Sequence, residues 1–342
     1  RHVQNDTLFG QRGDRAVQYT SVSIPVSKSS IVGYSALTKD MVVIDDAYQI
    51  GSEVPYRFNQ SFDRQNNYHT TSILAVPLIA RKNSLVGVMQ LINARDQEGR
   101  PTIFSEQIQT LVPIFTNNSA AIIERSILNR ELILRMVRMA ELHDPEETGS
   151  HVQRVGAISA ELYQRWAENR KLPSWEIKRF RDLISQAAML HDVGKVGIPD
   201  AVLKKPARLT PEEFELMKQH TIYGARLFTN ISSELDQITH DIVLHHHEKW
   251  NGQGYPGRLV KMGTSMARRP LAGEEIPLPA RITALADVFD ALSSKRCYKD
   301  SWNDKRIYDE IRQESGQRFD PELVDAFFQI KDILHAIQKK YQ

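Results

Sequence analysis

A chain of 342 residues, 41% apolar and 25% charged, has the composition of a soluble globular protein and the length for two domains with separate cores. Its net charge of +2 gives no basis for bulk binding to nucleic acid or a membrane surface, although a nucleotide site needs only a few placed cations. The single cysteine, Cys297, excludes a disulfide framework and a thiolate zinc site, and it fits a reducing, cytoplasmic setting. No run approaches the roughly 20 apolar residues of a membrane span. Residues 120–123 are apolar but are closed by Glu124 and Arg125. The chain starts at Arg1 with no signal-peptide core behind it, and it reads as though it begins inside a domain.

Residues 1–104 have strand character. Residues 17–26 alternate apolar and polar side chains, and residues 41–44 are a short apolar run. Residues 73–79 and 85–93 read as paired strands around the polar turn Arg81-Lys82-Asn83-Ser84, and residues 30–39 read as a helix. The strings Ser72-Ile73-Leu74-Ala75-Val76-Pro77-Leu78 and Leu85-Val86-Gly87-Val88-Met89-Gln90-Leu91-Ile92-Asn93 resemble the last core strands of a GAF domain, as does Phe104-Ser105-Glu106 leading into a long helix. The resemblance covers the later part of such a domain, N-terminally incomplete. It implies a small-molecule sensor or dimerisation module whose ligand the residues do not name. A generic α+β packing domain is the alternative.

Residues 105–142 are helical and nearly uninterrupted. Leu111, Phe115, Ile122, Leu128, Leu132, Met136 and Met139 recur among Arg and Glu, and Pro113 falls in the first turns, where proline is tolerated. An amphipathic helix joining two domains predicts a parallel homodimer seam. Packing of the stripe on its own domain competes with that reading, most strongly for the first half. From residue 144 onward the pattern is helical. Asp144-Pro145 reads as an N-cap with proline at the first helical position, and Thr210-Pro211-Glu212-Glu213 repeats that logic. Helices are expected over residues 151–168, 175–190, 212–228, 238–246, 280–292 and 322–337. The fold class is therefore multidomain: an α+β sensor domain over 1–104, a linker helix over 105–142 and an all-α domain over 143–342.

Eight residues of that last domain carry oxygen or nitrogen donors on predicted helices: Glu147, His151, His191, Asp192, His220, His246, His247 and Asp287. Glu147 and His151 are four apart and share a helix face. His191-Asp192 closes the apolar run Ala187-Ala188-Met189-Leu190, where a charge is costly unless paired or metal-bound. Asp287 is an acidic residue inside Thr283-Ala284-Leu285-Ala286 and Val288-Phe289. A lone histidine on an apolar helix is more often a satisfied core residue, and His246-His247 alone reads as a surface run with His245. Together, the inward imidazoles and carboxylates require cations. Mixed His and carboxylate ligation without thiolate suits iron, manganese or zinc, and eight donors imply two or three ions.

His191-Asp192-Val193-Gly194-Lys195 resembles the His-Asp signature of HD phosphohydrolases. His246-His247-Glu248-Lys249-Trp250-Asn251-Gly252-Gln253-Gly254-Tyr255-Pro256 is similar to the motif of the HD-GYP subfamily, which Gly273-Glu274-Glu275-Ile276-Pro277, residues 286–292 and Arg296-Cys297-Tyr298-Lys299 continue in order. The resemblance implies a phosphodiesterase that hydrolyses cyclic di-GMP, a bacterial second messenger, to linear pGpG and onward to GMP. A subset of the family prefers cyclic GMP-AMP. The resemblance also implies two or three divalent ions, iron or manganese, on all eight positions, with Glu147 accompanying a third ion. It assigns Asp192 to catalysis and Arg296 and Lys299 to holding substrate phosphate; Lys195, four residues after His191, is placed to reach the same phosphate and act in both catalysis and substrate binding, and Tyr255 is read as a substrate-binding residue on the loop, with a structural loop anchor as its alternative. Two departures stand out. Asn251 replaces an acidic residue that is not among the ligands. Residues 257–272, with Lys261, Arg268 and Arg269, form a basic insertion expected to be flexible and to emerge at the pocket rim, where covering the site, adding phosphate contacts, binding a partner and serving as a surface loop without a role are the open readings. The competing functions are a catalytically inactive cyclic-dinucleotide receptor and an HD phosphohydrolase acting on mononucleotides. No ligand is lost here, which weighs against the first, and the Gly-Tyr-Pro loop weighs against the second.

Overall fold

The computed structural model describes residues 2–3, 21–22, 26–144, 149–262, 265–293 and 303–341. The chain divides into two compact units, Arg1–Asn129 and Arg130–Gln342. In the first unit, β1 (His2–Val3) pairs antiparallel with β2 (Ser21–Val22). Helix α1 (Ile31–Thr38) is capped by Ser30, whose hydroxyl accepts the Gly33 N–H at 3.0 Å, and it ends on Lys39 in the left-handed region. Strand β3 (Val42–Ile44), helix α2 (Ser61–Asn66), β4 (Ile73–Ile79) and β5 (Leu85–Ile92) follow, and the three strands form an antiparallel sheet with β4 in the middle.

The apolar run of β4 has a physical cause. Ile73 and Ala75 face a core with Ile31, Val42 and Ile44, while Leu74 and Val76 face Phe104 on the other side. Both faces of the strand are covered, so its residues need no polar alternation. The short pair β6 (Ala94–Arg95) and β7 (Pro101–Thr102) completes the strands of this unit among the described residues.

Helix α3 (Glu106–His143) is 38 residues long with Pro113 in its early turns. Ile133 and Val137 are buried in the core of the second unit with Val152, Met189 and Val243. Leu111, Phe115, Ile122, Leu128, Leu132 and Met139 are exposed, Ile122 to 70%.

The second unit is helical: α4 (Gly149–Asn169), α5 (Ser174–Ala188), α6 (Asp200–Leu203), α7 (Pro211–Arg226), α8 (Glu234–His245), α9 (Leu278–Ser293), α10 (Asp304–Gln313), α11 (Pro321–Gln329) and α12 (Lys331–Lys340). Helix α4 packs on α5, α9, α11 and α12. Their common core includes Ile158, Leu162, Ile184, Ile242, Leu285, Phe289 and Phe327. Burying each such side chain contributes about 1.5–3 kcal/mol. Thr210 and Glu213 form the full capping box expected at the start of α7. The cap expected at Asp144-Pro145 falls partly outside the described residues, since Pro145 is not among them.

Three expectations are corrected. The single helix over 322–337 is broken at Ile330, which is 2% exposed and anchors the corner between α11 and α12 in the core. Helices α6 and α10 were not expected. The insertion carries secondary structure that the sequence reading does not place there: β8 (Arg258–Met262) and β9 (Ser265–Arg269) pair antiparallel from Arg258 opposite Arg269 to Met262 opposite Ser265. Among the described residues the domain is mostly helical, as expected, with this hairpin added to it. At the hairpin base Gly257 has φ +72°, and a Cβ there would lie 2.4 Å from the Arg269 carbonyl oxygen. Among the described residues no helix is long and apolar enough to cross a membrane.

Candidate metal centre and cavity

Five segments of the second unit carry the donors. His151 is in the first turn of α4, His220 in α7 and Asp287 in α9. The other donors are not on helices, contrary to the sequence reading. His191-Asp192 follow the end of α5 at Ala188, and His246-His247 follow the end of α8 at His245. This placement puts their rings beside carbonyls of a final helical turn. His191 Nδ1 lies 3.0 Å from the Ala188 carbonyl oxygen, and His246 Nδ1 lies 3.0 Å from that of Ile242. His220 Nδ1 meets the Met217 carbonyl at 2.7 Å, and His151 Nδ1 meets Asp290 Oδ2 at 2.7 Å. A carbonyl or carboxylate oxygen only accepts, so each Nδ1 carries the proton and each Nε2 keeps its lone pair.

Those lone pairs converge in two groups, one of Asp192, His220, His246 and His247 and one of His151, His191 and Asp287. Within each group the donor atoms lie within 4.8 Å of one another. Asp192 Oδ1 is 3.1 Å from His220 Nε2 and 3.3 Å from His246 Nε2, while Oδ2 is 3.4 Å from His191 Nε2. Asp287 Oδ1 lies 3.6 Å from His151 Nε2 and 3.9 Å from His191 Nε2. Asp192 therefore faces both groups, one oxygen to each. His191 Nε2, His220 Nε2, His246 Nε2 and Asp192 Oδ1 are buried and make no hydrogen bond among the described residues. Acceptors crowded at these distances with no proton between them repel unless a cation lies among them. The residues fit divalent ions.

The charges agree with that fit. Burial holds the His246 imidazole below its usual range. Burial and the neighbouring His246 hold His247 well below it, so both rings are neutral. Burial alone would push the Asp192 carboxyl up, but Lys195 and His191 outweigh it and hold the group well below the carboxylate range. Lys195 Nζ lies 2.9 Å from Asp192 Oδ2 and 3.2 Å from Asp144 Oδ2. Gly194 lets this turn touch α7, since a Cβ there would sit 1.9 Å from the His220 carbonyl oxygen.

Behind the donors, Asp290 is fully buried. It accepts from Arg154 Nε at 2.6 Å and Nη2 at 2.9 Å, as well as from His151. Tyr255 stacks on His247 with ring centroids 4.8 Å apart, and Lys218 Nζ lies 5.5 Å from the Tyr255 ring. Tyr255 thus braces a donor histidine as well as lining the site. Burial raises its phenol far above the ordinary value, so it stays protonated. Asn251 serves the loop: its Oδ1 accepts the Gln253 N–H at 3.0 Å, and its Nδ2 donates to Gln317 Oε1 at 3.2 Å.

The donors open into a cavity of about 410 Å³ lined by Asp144, Lys195, Leu203, Tyr255, Leu292 and Arg318, among others. The structure brings together seven of the eight predicted donors, with Lys195 and Tyr255 beside them. Glu147, Arg296 and Lys299 lie outside the described residues. Sequence reasoning missed Arg154, Asp290, Asp144 and Arg318 as site residues. Arg154 and Asp290 each follow a donor by three residues on its own helix, a signal that could have found them. Asp144 reads in the sequence only as a helix cap, and nothing local marks Arg318.

A helical unit built around a buried His/Asp centre able to hold divalent ions is the class that the fold and site define. The sequence profile of the HD domain matches residues 135–323, more than half of the chain, and that of the GAF domain matches residues 8–122. The chain belongs to the HD domain family, with a GAF domain preceding the HD domain. It is 40% identical over 211 residues to a protein named 3'3'-cGAMP-specific phosphodiesterase 2 in Vibrio cholerae, covering 61% of this chain and 36% of that protein. It is 38% identical over 208 residues to a cyclic di-GMP phosphodiesterase of Thermotoga maritima, covering 61% of this chain and 51% of that one. The same identity over 208 residues links it to the cyclic di-GMP phosphodiesterase response regulator RpfG of Xanthomonas campestris, covering 61% and 50%. The chain spans about half or less of the length of these relatives.

Proposed function

We propose that this chain is a metal-dependent phosphodiesterase that hydrolyses cyclic di-GMP to pGpG and onward to GMP, under regulation by its GAF domain. The observation that carries the reading is the convergence of Nε2 lone pairs on Asp192 with each Nδ1 proton held by a backbone or carboxylate acceptor. The group of His151, His191 and Asp287 would hold one ion and that of His220, His246 and His247 a second, with Asp192 shared. Iron or manganese suits five imidazoles and two carboxylates. Such ions supply acidified water at neutral pH and neutralise phosphate oxygens. Asp192 sets the spacing between the groups, and Asp144 and Asp192 hold the Lys195 ammonium at the cavity floor. From there Lys195 Nζ donates to a phosphate oxygen or to the departing oxygen. Leu203, Met217, Val288 and Leu292 give the cavity an apolar side suited to bases.

A second reading, preference for cyclic GMP-AMP, is favoured by the likeness to the Vibrio cholerae protein named for it. Turnover of both cyclic dinucleotides by iron- or manganese-loaded protein, with linear products resolved, tests the function and separates the two. Turnover of neither substrate would support an inactive receptor.

Protein loaded anaerobically is expected to bind two or three ions per chain, and Glu147→Ala to lower a count of three to two. Fewer than one equivalent by elemental analysis contradicts the metal centre, and three ions in the variant contradict the role of Glu147. The exposed stripe Leu111, Phe115, Ile122, Leu128 and Leu132 supports a parallel homodimer through α3. Light scattering at micromolar concentration is expected to give twice the chain mass, and a monomer contradicts it.

A further inference from the structure

Arg318 is a cation that the chemistry above does not use. It lies half-buried between α10 and α11 on the cavity wall. Its backbone is fixed: its N–H donates to the Glu314 carbonyl at 2.9 Å, and its own carbonyl accepts the Trp250 N–H at 3.2 Å. The neighbouring Gln317 carbonyl accepts the Asn251 N–H at 2.9 Å. These bonds sew the turn to the loop that carries His247 and Tyr255. Other arginines of this unit have carboxylates: Arg154 has Asp290, Arg170 has Glu322 and Arg281 has Asp320. The Arg318 guanidinium has no ion pair or hydrogen bond among the described residues. It lies 5.6 Å from the Phe319 ring centroid.

Among the described residues, Lys195 and Arg318 are the lysine and arginine that line the cavity. Lys195 is engaged by Asp192 and Asp144 next to the donor groups. A cyclic dinucleotide carries two phosphodiesters, and only one at a time can lie at the metal centre. The other carries a second negative charge into the same cavity, away from the donor groups. We infer that Arg318 binds the phosphate that is not being cleaved, an inference that rests on the phosphodiesterase reading. A guanidinium presents paired donors to two phosphate oxygens, and holding the remote phosphate orients the reacting one.

The test compares Arg318→Ala, Arg318→Gln and Arg318→Lys on cyclic di-GMP, cyclic GMP-AMP and bis(p-nitrophenyl) phosphate, which has one phosphodiester and no second phosphate. In the Ala and Gln variants KM for both cyclic dinucleotides rises about tenfold to a hundredfold, the value of a charge-assisted hydrogen bond. The change in kcat is small, and Lys restores part of the loss. The one-phosphate probe loses at least about tenfold less kcat/KM than the dinucleotides do. Melting temperature and metal content match the parent, because backbone bonds hold the turn; the Gln variant keeps the side-chain bulk should Ala disturb it. An unchanged KM overturns the inference, as does an equal loss on the one-phosphate probe. A loss confined to cyclic di-GMP also overturns it, by assigning Arg318 to a guanine edge. If the metal-loaded parent cleaves no substrate, the phosphodiesterase reading fails instead. Equilibrium binding of cyclic di-GMP to the same variants still decides the role of Arg318, with the same tenfold to hundredfold weakening expected.

Discussion

Asp192→Ala is expected to reduce cyclic-dinucleotide turnover by about a thousandfold or more. No neighbouring side chain can take over its position. Its Oδ1 lies 3.1 Å from His220 Nε2 and 3.3 Å from His246 Nε2, while its Oδ2 lies 3.4 Å from His191 Nε2. Without the carboxylate the two donor groups lose their shared member, and Lys195 loses the nearer of the partners that aim it. Asp192→Asn separates shape from charge: it keeps the packing and should restore little activity. Elemental analysis alongside turnover should show metal loss in step with activity loss. More than about a tenth of parental activity in the alanine variant, with the metal count intact, would remove Asp192 from the centre of the reaction.

Asp290→Ala is the second large effect, and it acts on stability and metal binding together. Asp290 touches no substrate. It lies fully buried, paired in two-pronged fashion with Arg154 and bonded to His151 Nδ1. Burial pushes its carboxyl up, but the His151 and Arg154 hydrogen bonds outweigh this and hold it below its ordinary value. Removing one partner of a buried pair costs about 3–5 kcal/mol. Losing the acceptor that fixes a ligand histidine costs about tenfold to a hundredfold in metal affinity. Chemical denaturation reads the first effect and metal titration the second. Loss of stability without loss of metal affinity would make Asp290 a purely structural anchor.

The parts of this molecule that sequence reveals are those whose cause is local. Thr210 caps its helix through Glu213 three positions away, and that cap is visible in the string. Strands β4 and β5 announce themselves by apolar runs around a polar turn. The donor histidines and aspartates stand out because charge inside an apolar run needs a reason. The break at Ile330 was hidden because it depends on what the corner packs against. The hairpin over residues 258–269 was hidden because its cations outweighed the short runs Leu259-Val260 and Ser265-Met266-Ala267 on either side of Gly263-Thr264, a weak hairpin signal. Arg318 was invisible for a third reason. Its place beside Tyr255 comes from backbone bonds between segments more than sixty residues apart.

Glu248 gives the hairpin a separate significance. It is buried beside the donor His247. Its Oε1 accepts the Gly257 N–H at 2.5 Å, and its Oε2 accepts the Leu271 N–H at 3.3 Å. One carboxylate thus ties together the points where the chain leaves the helical body and returns to it. Between those points the polypeptide is a side branch with fixed ends. The entropic cost of lengthening such a branch grows only logarithmically, by about 0.6 kcal/mol per doubling. The length of the branch is thereby uncoupled from the geometry of the metal donors. Residues between Gly257 and Leu271 are where this domain can accept an inserted peptide or reporter while the chain on either side keeps its course.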